Sequence, residues 1–155
     1  MNAEYISPFI NAATNVIQTM ASLSPATGKP FLKKDNLTWG VVTGIIGMAG
    51  DGLAGNMVLS FDKSSILAIV SKMLFEEFKE VNNDVVDAVG ELTNMITGGA
   101  KKEFSEKGFK FEMAVPVVIV GDRIQITQLT KSPTVVIPFE MPEGRFVVEA
   151  NLAAK

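Results

Sequence analysis

Apolar residues fall at Phe9, Ala13, Val16, Ile17 and Met20, the spacing of threes and fours that one face of a helix produces. Ser7-Pro8 stands just ahead of them, a good opening with Ser as N-cap and Pro in the first turn, so a first helix is predicted from there to about Ser24-Pro25. The stretch "SPATGKPFLKKDN" has no period and reads as a loop. From Leu37 to Met48 the chain is rich in Trp, Val, Ile and Gly and carries no charge. That predicts a strand, followed by a turn at "AGDGLAG" and a second strand from Asn56 to Phe61: a β-hairpin with a glycine-rich tip. Asp62 can cap a second helix whose buried side is Ile66, Leu67, Ile69, Val70, Met73 and Leu74. After the charged connector "EEFKEVNND", Asp84 can cap a third helix that runs to about Glu106, with Gly108 as its stop. Beyond Gly108 the period changes. "FEMAVPVVIVG", "RIQITQL", "TVVIPFEM" and "RFVVEANL" are β-branched runs separated by Gly-Asp, Ser-Pro and Pro-Glu-Gly turns, giving four strands, or three preceded by an extended segment. The order helix, hairpin, two helices and meander predicts an α+β fold with helices covering one face of a mostly antiparallel sheet. No linker divides residues 1–155, so a single domain is expected.

Composition narrows the function classes. Hydrophobic residues make up 47% of the 155 and charged residues 20%, which excludes disorder and leaves apolar surface for self-association. The net charge is −3 and no basic cluster exceeds Lys33-Lys34 or Lys101-Lys102, too little positive charge to track a phosphate backbone, so no nucleic-acid partner is expected. The chain has no cysteine and no histidine. Thiolate nucleophiles, disulfides, Ser-His triads and HExxH zinc sites are therefore excluded. The opening residues carry Glu4 but no basic segment and no continuous apolar core, unlike a signal peptide, and no run approaches 18 apolar residues. No membrane association is expected, and the expected location is the cytoplasm.

One polar line remains to be explained. With Asp87 set at 0° on a helical wheel, Glu91 falls at about 40°, Asn94 at about 340°, Gly98 at about 20° and Lys101 at about 320°. Val85, Val89, Leu92 and Ile96 gather on the opposite side. The plain alternative is a solvated face. Against it, Asn in a helix interior costs roughly 0.5 kcal/mol relative to Ala, and each of Gly98 and Gly99 roughly 1 kcal/mol. Glycines on an exposed ridge also permit close approach by another backbone. Asn is no general base, but its amide can hold a water by donating and accepting at once. A carboxylate one turn away can pair with a partner's Lys or Arg. The two together suit hydrolysis of a bond that another protein has already activated, and phosphoryl transfer fits best, since its catalysis is largely positioning and electrostatics. A non-catalytic adaptor that uses the stripe for docking is the rival.

Other features carry less. "GIIGMAGDGLAG" lacks the GxGxxG spacing and has no following Lys-Ser/Thr, so a tightly packed hairpin tip is favoured over a small-ligand site. Trp39 is expected in the core or at an interface. The methionines read as core filler, except that Met95 flanks the stripe and can touch a partner. Thr97 is a candidate support for Asn94.

At these residues the chain resembles the CheC/CheX/FliY family of chemotaxis phosphatases, its CheX branch most closely. The family signature is Asp or Ser, three residues, Glu, two residues, Asn, then a Pro about 22 residues on. Asp87, Glu91 and Asn94 match in spacing, and Pro116 follows one residue sooner than usual. "MNAEYISPFINAATNVIQTMAS" and "GKPFLKK" are similar too, so the resemblance covers essentially the whole chain. It implies a phosphatase acting on a phosphorylated CheY-like response regulator. In that reaction Glu91 would anchor the regulator's active-site lysine and Asn94 would place the attacking water, with Asp87, Met95, Gly98 and Lys101 facing the partner. No cofactor of the chain's own is implied, and the Mg²⁺ would belong to the regulator. The resemblance further implies a homodimer with exchanged strand elements and a sheet continued between subunits. CheC carries the motif twice; here Asn15 is the counterpart on the first helix, but Ala12 stands where the Glu would be, so one site per chain is expected. FliY-type proteins add a switch domain, for which the sequence after the last strand leaves no room.

Overall fold

Helix α1 spans Ala3–Ala21 in the computed structural model, which describes residues 3–128 and 132–154. The helix begins before the predicted Ser7-Pro8 cap, and Pro8 lies inside it. Pro8 has no N–H to offer the carbonyl of Glu4 one turn earlier. Lys107 Nζ donates to that oxygen, at 3.4 Å, so a donor is still present where proline removes one. Strands β1 (Ala26–Thr27) and β2 (Phe31–Leu32) interrupt the segment expected to be all loop; each pairs with β7 (Val135–Met141). The hairpin is β3 (Val42–Gly50) and β4 (Leu53–Phe61), its turn tightened to Asp51-Gly52. Trp39, ahead of it, lies outside the core, 41% exposed.

Helix α2 (Lys63–Leu74) is capped by Asp62 as predicted, the carboxylate accepting from Ser65 N at 2.8 Å. Leu74, expected on the buried side, is exposed because the helix ends there and the chain turns away at left-handed Phe75. Helix α3 (Asn83–Glu106) is capped by Asn82 rather than Asp84. Asn82 Oδ1 accepts from Val85 N at 3.0 Å, and Asp84 stands in the first turn, where a carboxylate favours the positive end of the helix. Gly108, at φ 92°, stops the helix.

The run "FEMAVPVVIVG" divides into β5 (Phe111–Met113) and β6 (Val117–Val120), both paired with β3. Between Met48↔Met113 and Ile45↔Val117, the pair Ile46-Gly47 opposes the trio Ala114-Val115-Pro116. That is a bulge, placed where Pro116 has no N–H for the ladder. "RIQITQL" is not a strand over its described part. Its backbone bonds to the loop before β3, Thr38 N to Ile124 O at 2.8 Å and Ile126 N to Asn36 O at 2.6 Å, so it covers the sheet instead of extending it. Leu129 of that run lies outside the described residues. The last strand, β8 (Gly144–Ala154), forms a hairpin with β7.

All pairings are antiparallel, in the order β1-β7-β8-β4-β3-β5, with β2 also on β7 and β6 also on β3. Alternate residues of each strand face opposite ways. One side, including Ile46, Met57, Leu59, Phe146 and Val148, shares a single core with the three helices. The other side buries Thr43, Ser60, Glu149 and Asn151. These are paired: Thr43 Oγ1 with Ser60 Oγ at 2.8 Å, Lys33 Nζ donating to Glu149 Oε2 at 3.0 Å, Asn151 Nδ2 donating to Thr134 Oγ1 at 2.9 Å. Burial pushes the Glu149 carboxyl above its ordinary value, against the pull of Lys33.

Candidate functional site

Helix α3 divides as its periodicity predicts. Val85, Val89, Leu92 and Ile96 are buried, while Asp87, Glu91 and Asn94 are exposed. Neither the Glu91 carboxylate nor the Asn94 amide has a hydrogen-bond or ion-pair partner among the described residues. Two polar groups one turn apart are thus presented by the helix and engaged by nothing among the described residues. Met95 is 38% exposed beside them.

Contacts on the hidden side fix the helix. Thr93, next to Asn94, is fully buried, its hydroxyl donating to Val89 O at 2.7 Å. It rests on Gly44 of β3 so closely that a Cβ there would overlap Thr93 Oγ1. The two glycines of the ridge separate cleanly. A Cβ on Gly99 would lie 3.1 Å from Ala12 Cβ, so Gly99 serves the crossing of α3 with α1; a Cβ on Gly98 would meet nothing within 4 Å. Toward the C-terminus, Phe104 packs edge-on against Phe9 and Phe111, with ring centroids 5.6 Å apart in each pair. Thr97 does not support Asn94: it is buried, with its hydroxyl 3.5 Å from Met57 Sδ.

The outer strand runs alongside the stripe. Lys101 Nζ lies 3.5 Å from the Glu112 carboxylate of β5, and a Cβ on Gly90 would lie 3.6 Å from Val118 of β6. With those two levels fixed, the Ala114–Pro116 bulge falls abreast of the turn that carries Asn94. Val115, at the crest of the bulge, is 85% exposed, a feature not singled out from the sequence. Lys101, expected to face a partner, is already tethered sideways to Glu112.

On α1, Asn15 is exposed but Ala12 is buried against Gly99. The place where an acidic anchor would stand is occupied by the helix crossing, so α1 offers no second Glu/Asn pair.

The stripe is a convex ridge. Adjoining cavities of about 220 and 560 Å³ lie on the far face of the sheet, around Lys33, Asp35 and Glu149, away from the unengaged groups of α3. Among the described residues no group of three acidic side chains gathers as a metal site, and no helix is long and apolar enough to cross a membrane. The ridge carries an amide and a carboxylate, and neither of those cavities is lined by them.

Residues 42–140 match the family model described as chemotaxis phosphatase CheX. The chain belongs to the CheX family. The matched span holds the β3–β4 hairpin, α3, the bulge and Pro116. Chemotaxis protein CheX from Vibrio vulnificus superposes with a TM-score of 0.91 at 40% identity, over 97% of this chain and 100% of that one. The chain is 27% identical over 128 residues to the CheY-P phosphatase CheX of Thermotoga maritima, 81% of each protein. It also matches, with a TM-score of 0.77 at 30% identity and 97% coverage of both chains, a structure of the CheX–CheY–BeF3–Mg²⁺ complex from Borrelia burgdorferi.

Proposed function

We propose that this CheX protein is a phosphatase that hydrolyses the aspartyl phosphate of a CheY-like response regulator, with Asn94 orienting the water and Glu91 anchoring the partner. The observation that carries the proposal is an exposed Glu91/Asn94 pair that nothing among the described residues engages, on a helix locked from behind. The kinship with a CheY-P phosphatase and with a CheX that forms a complex with CheY supports it.

The chemistry follows from the groups present. An aspartyl phosphate is an acyl phosphate, a mixed anhydride whose leaving group is a carboxylate, so the catalyst need supply only a nucleophile in line with the P–O bond. The Asn94 amide accepts one hydrogen bond from the water and donates another to a phosphoryl oxygen. Water attacks phosphorus, the bond to the aspartyl oxygen breaks, and the regulator recovers its carboxylate while inorganic phosphate leaves. Mg²⁺ held by the regulator would offset the charge on the transferring group. Glu91, about 4–5 Å back along the axis, pairs with a lysine beside the phosphate and sets the depth of entry. Asp87, Met95 and Lys101 border the contact. The proposal includes a homodimer: β5 and β6 form one edge of the sheet, with Val117 and Val120 exposed, and a second copy would continue the sheet there.

The test is the phosphate lifetime of a CheY receiver domain with and without the protein, at matched binding. The proposal requires lifetime to shorten in proportion to the protein added. Binding with an unchanged lifetime would identify a docking adaptor instead.

A further inference from the structure

Building on the proposed phosphatase function, we infer that Gly98 is the clearance through which the regulator's own main chain approaches the ridge, and that its bareness limits which receiver domains the enzyme can engage. Glycine in a helix interior is unfavourable and requires a compensating contact. Gly99 has one in Ala12. Gly98 has none, since an added Cβ would meet nothing within 4 Å; its compensation lies outside the chain.

Its position says what approaches. Gly98 follows Asn94 by one turn, about 6 Å along the axis and about 40° around it. An aspartyl side chain is short, so its phosphorus sits roughly 5 Å from its own Cα. A phosphorus so close to the main chain sits low among the loops around it, and an Asn amide reaches only about 3–4 Å beyond its own Cα, so a helix that delivers water there brings its neighbouring turn up to the main chain of those loops. Gly98 is the surface of that turn. Lys101, one turn further on and long enough to fold back across the glycine, is drawn aside to Glu112 at 3.5 Å. Met95 stands toward the α1 side of the stripe. Between them Gly98 is half-buried, and the space that a Cβ would take there is open.

Gly98→Ala and Gly98→Leu test this in the full chain, with a phosphorylated CheY receiver domain and Mg²⁺ as the probe and Asn94→Ala alongside. Ala and Leu have nearly equal helix propensity, so both should raise Tm, by about 2–4 °C. They differ in bulk, so kcat/KM should fall roughly tenfold for Ala and further for Leu, chiefly through KM. Equal losses would mean that helix stiffening is responsible and would overturn the clearance. So would wild-type kcat/KM in Gly98→Leu. If Asn94→Ala is inactive while Gly98→Leu is unimpaired, the clearance falls and the phosphatase stands. If the wild type leaves the phosphate lifetime unchanged, the function itself falls and the clearance with it.

Discussion

The seat of α3 on β3 turns a backbone detail into a catalytic prediction. In Gly44→Ala the new Cβ would overlap Thr93 Oγ1 and lie 3.1 Å from Thr93 Cβ and 3.4 Å from Cγ2. Ordinary carbon contacts need roughly 3.5–4.0 Å. Thr93 cannot turn freely, because its hydroxyl is bonded to Val89 O and its side chain is fully buried. The strain must lift α3 or distort β3. Overpacking of this kind costs about 1–3 kcal/mol, which for a chain of this size lowers Tm by roughly 2–10 °C. Asn94 is the next residue along the helix, so a shift near 1 Å carries to the amide, and misplacement on that scale costs about 10²-fold in rate. Adding Thr93→Ala removes Oγ1 and Cγ2 and leaves a contact that a few tenths of an ångström can relieve. Thermal unfolding and regulator dephosphorylation should therefore both recover in Gly44→Ala/Thr93→Ala, with strong coupling in the double-mutant cycle. An unperturbed Gly44→Ala, or a double variant no better than the single, would refute the view that this contact positions the amide.

Glu91→Ala should raise the concentration of regulator needed for half-maximal rate by about tenfold, leave the maximal rate much less affected and leave Tm unchanged; an equal loss in both kinetic constants would contradict the anchoring role. Ala12→Glu should not create a second site. It forces a carboxylate against Gly99 and should destabilise the chain by about 2 kcal/mol or more in denaturant titration, with no gain in activity. Because the Glu149 carboxyl is held above its ordinary value of 4.5, the folded chain binds that proton more readily than the unfolded one. Stability from this group is then fully present below the ordinary value and is lost as pH rises through the raised one. The Tm of the wild type relative to Glu149→Gln should move in favour of the wild type as pH falls from about 7 to about 5; a constant difference would contradict the assignment.

Much of this was legible in the residues. Helical spacing located α2 and α3, the change of period after Gly108 located the strands, and the wheel separated Asp87, Glu91 and Asn94 from Leu92 and Ile96. What escaped depended on partners distant in sequence. Pro8 suggested a helix start, and Lys107, reaching Glu4 O from the far end of α3, shows a donor where proline removes one. "RIQITQL" alternates like a strand, yet its backbone bonds go to a loop nearly ninety positions earlier. Gly98 and Gly99 look alike in the sequence; Ala12 on another helix tells them apart. The bulge at Ala114–Pro116 is invisible without the register of β3, although Pro116 itself marks where the ladder must give way.

Central to the account is an outward amide on α3 that steers water onto a phosphate held by a second protein. The most direct test is the dephosphorylation rate of a CheY receiver domain saturated with Asn94→Ala, compared with the same receiver saturated with wild type. The Asn94 side chain is exposed and has no hydrogen-bond partner among the described residues, so the variant should be folded, should bind, and should be slower by about 10²-fold or more. A saturated complex that turns over at the wild-type rate without that amide would contradict the account.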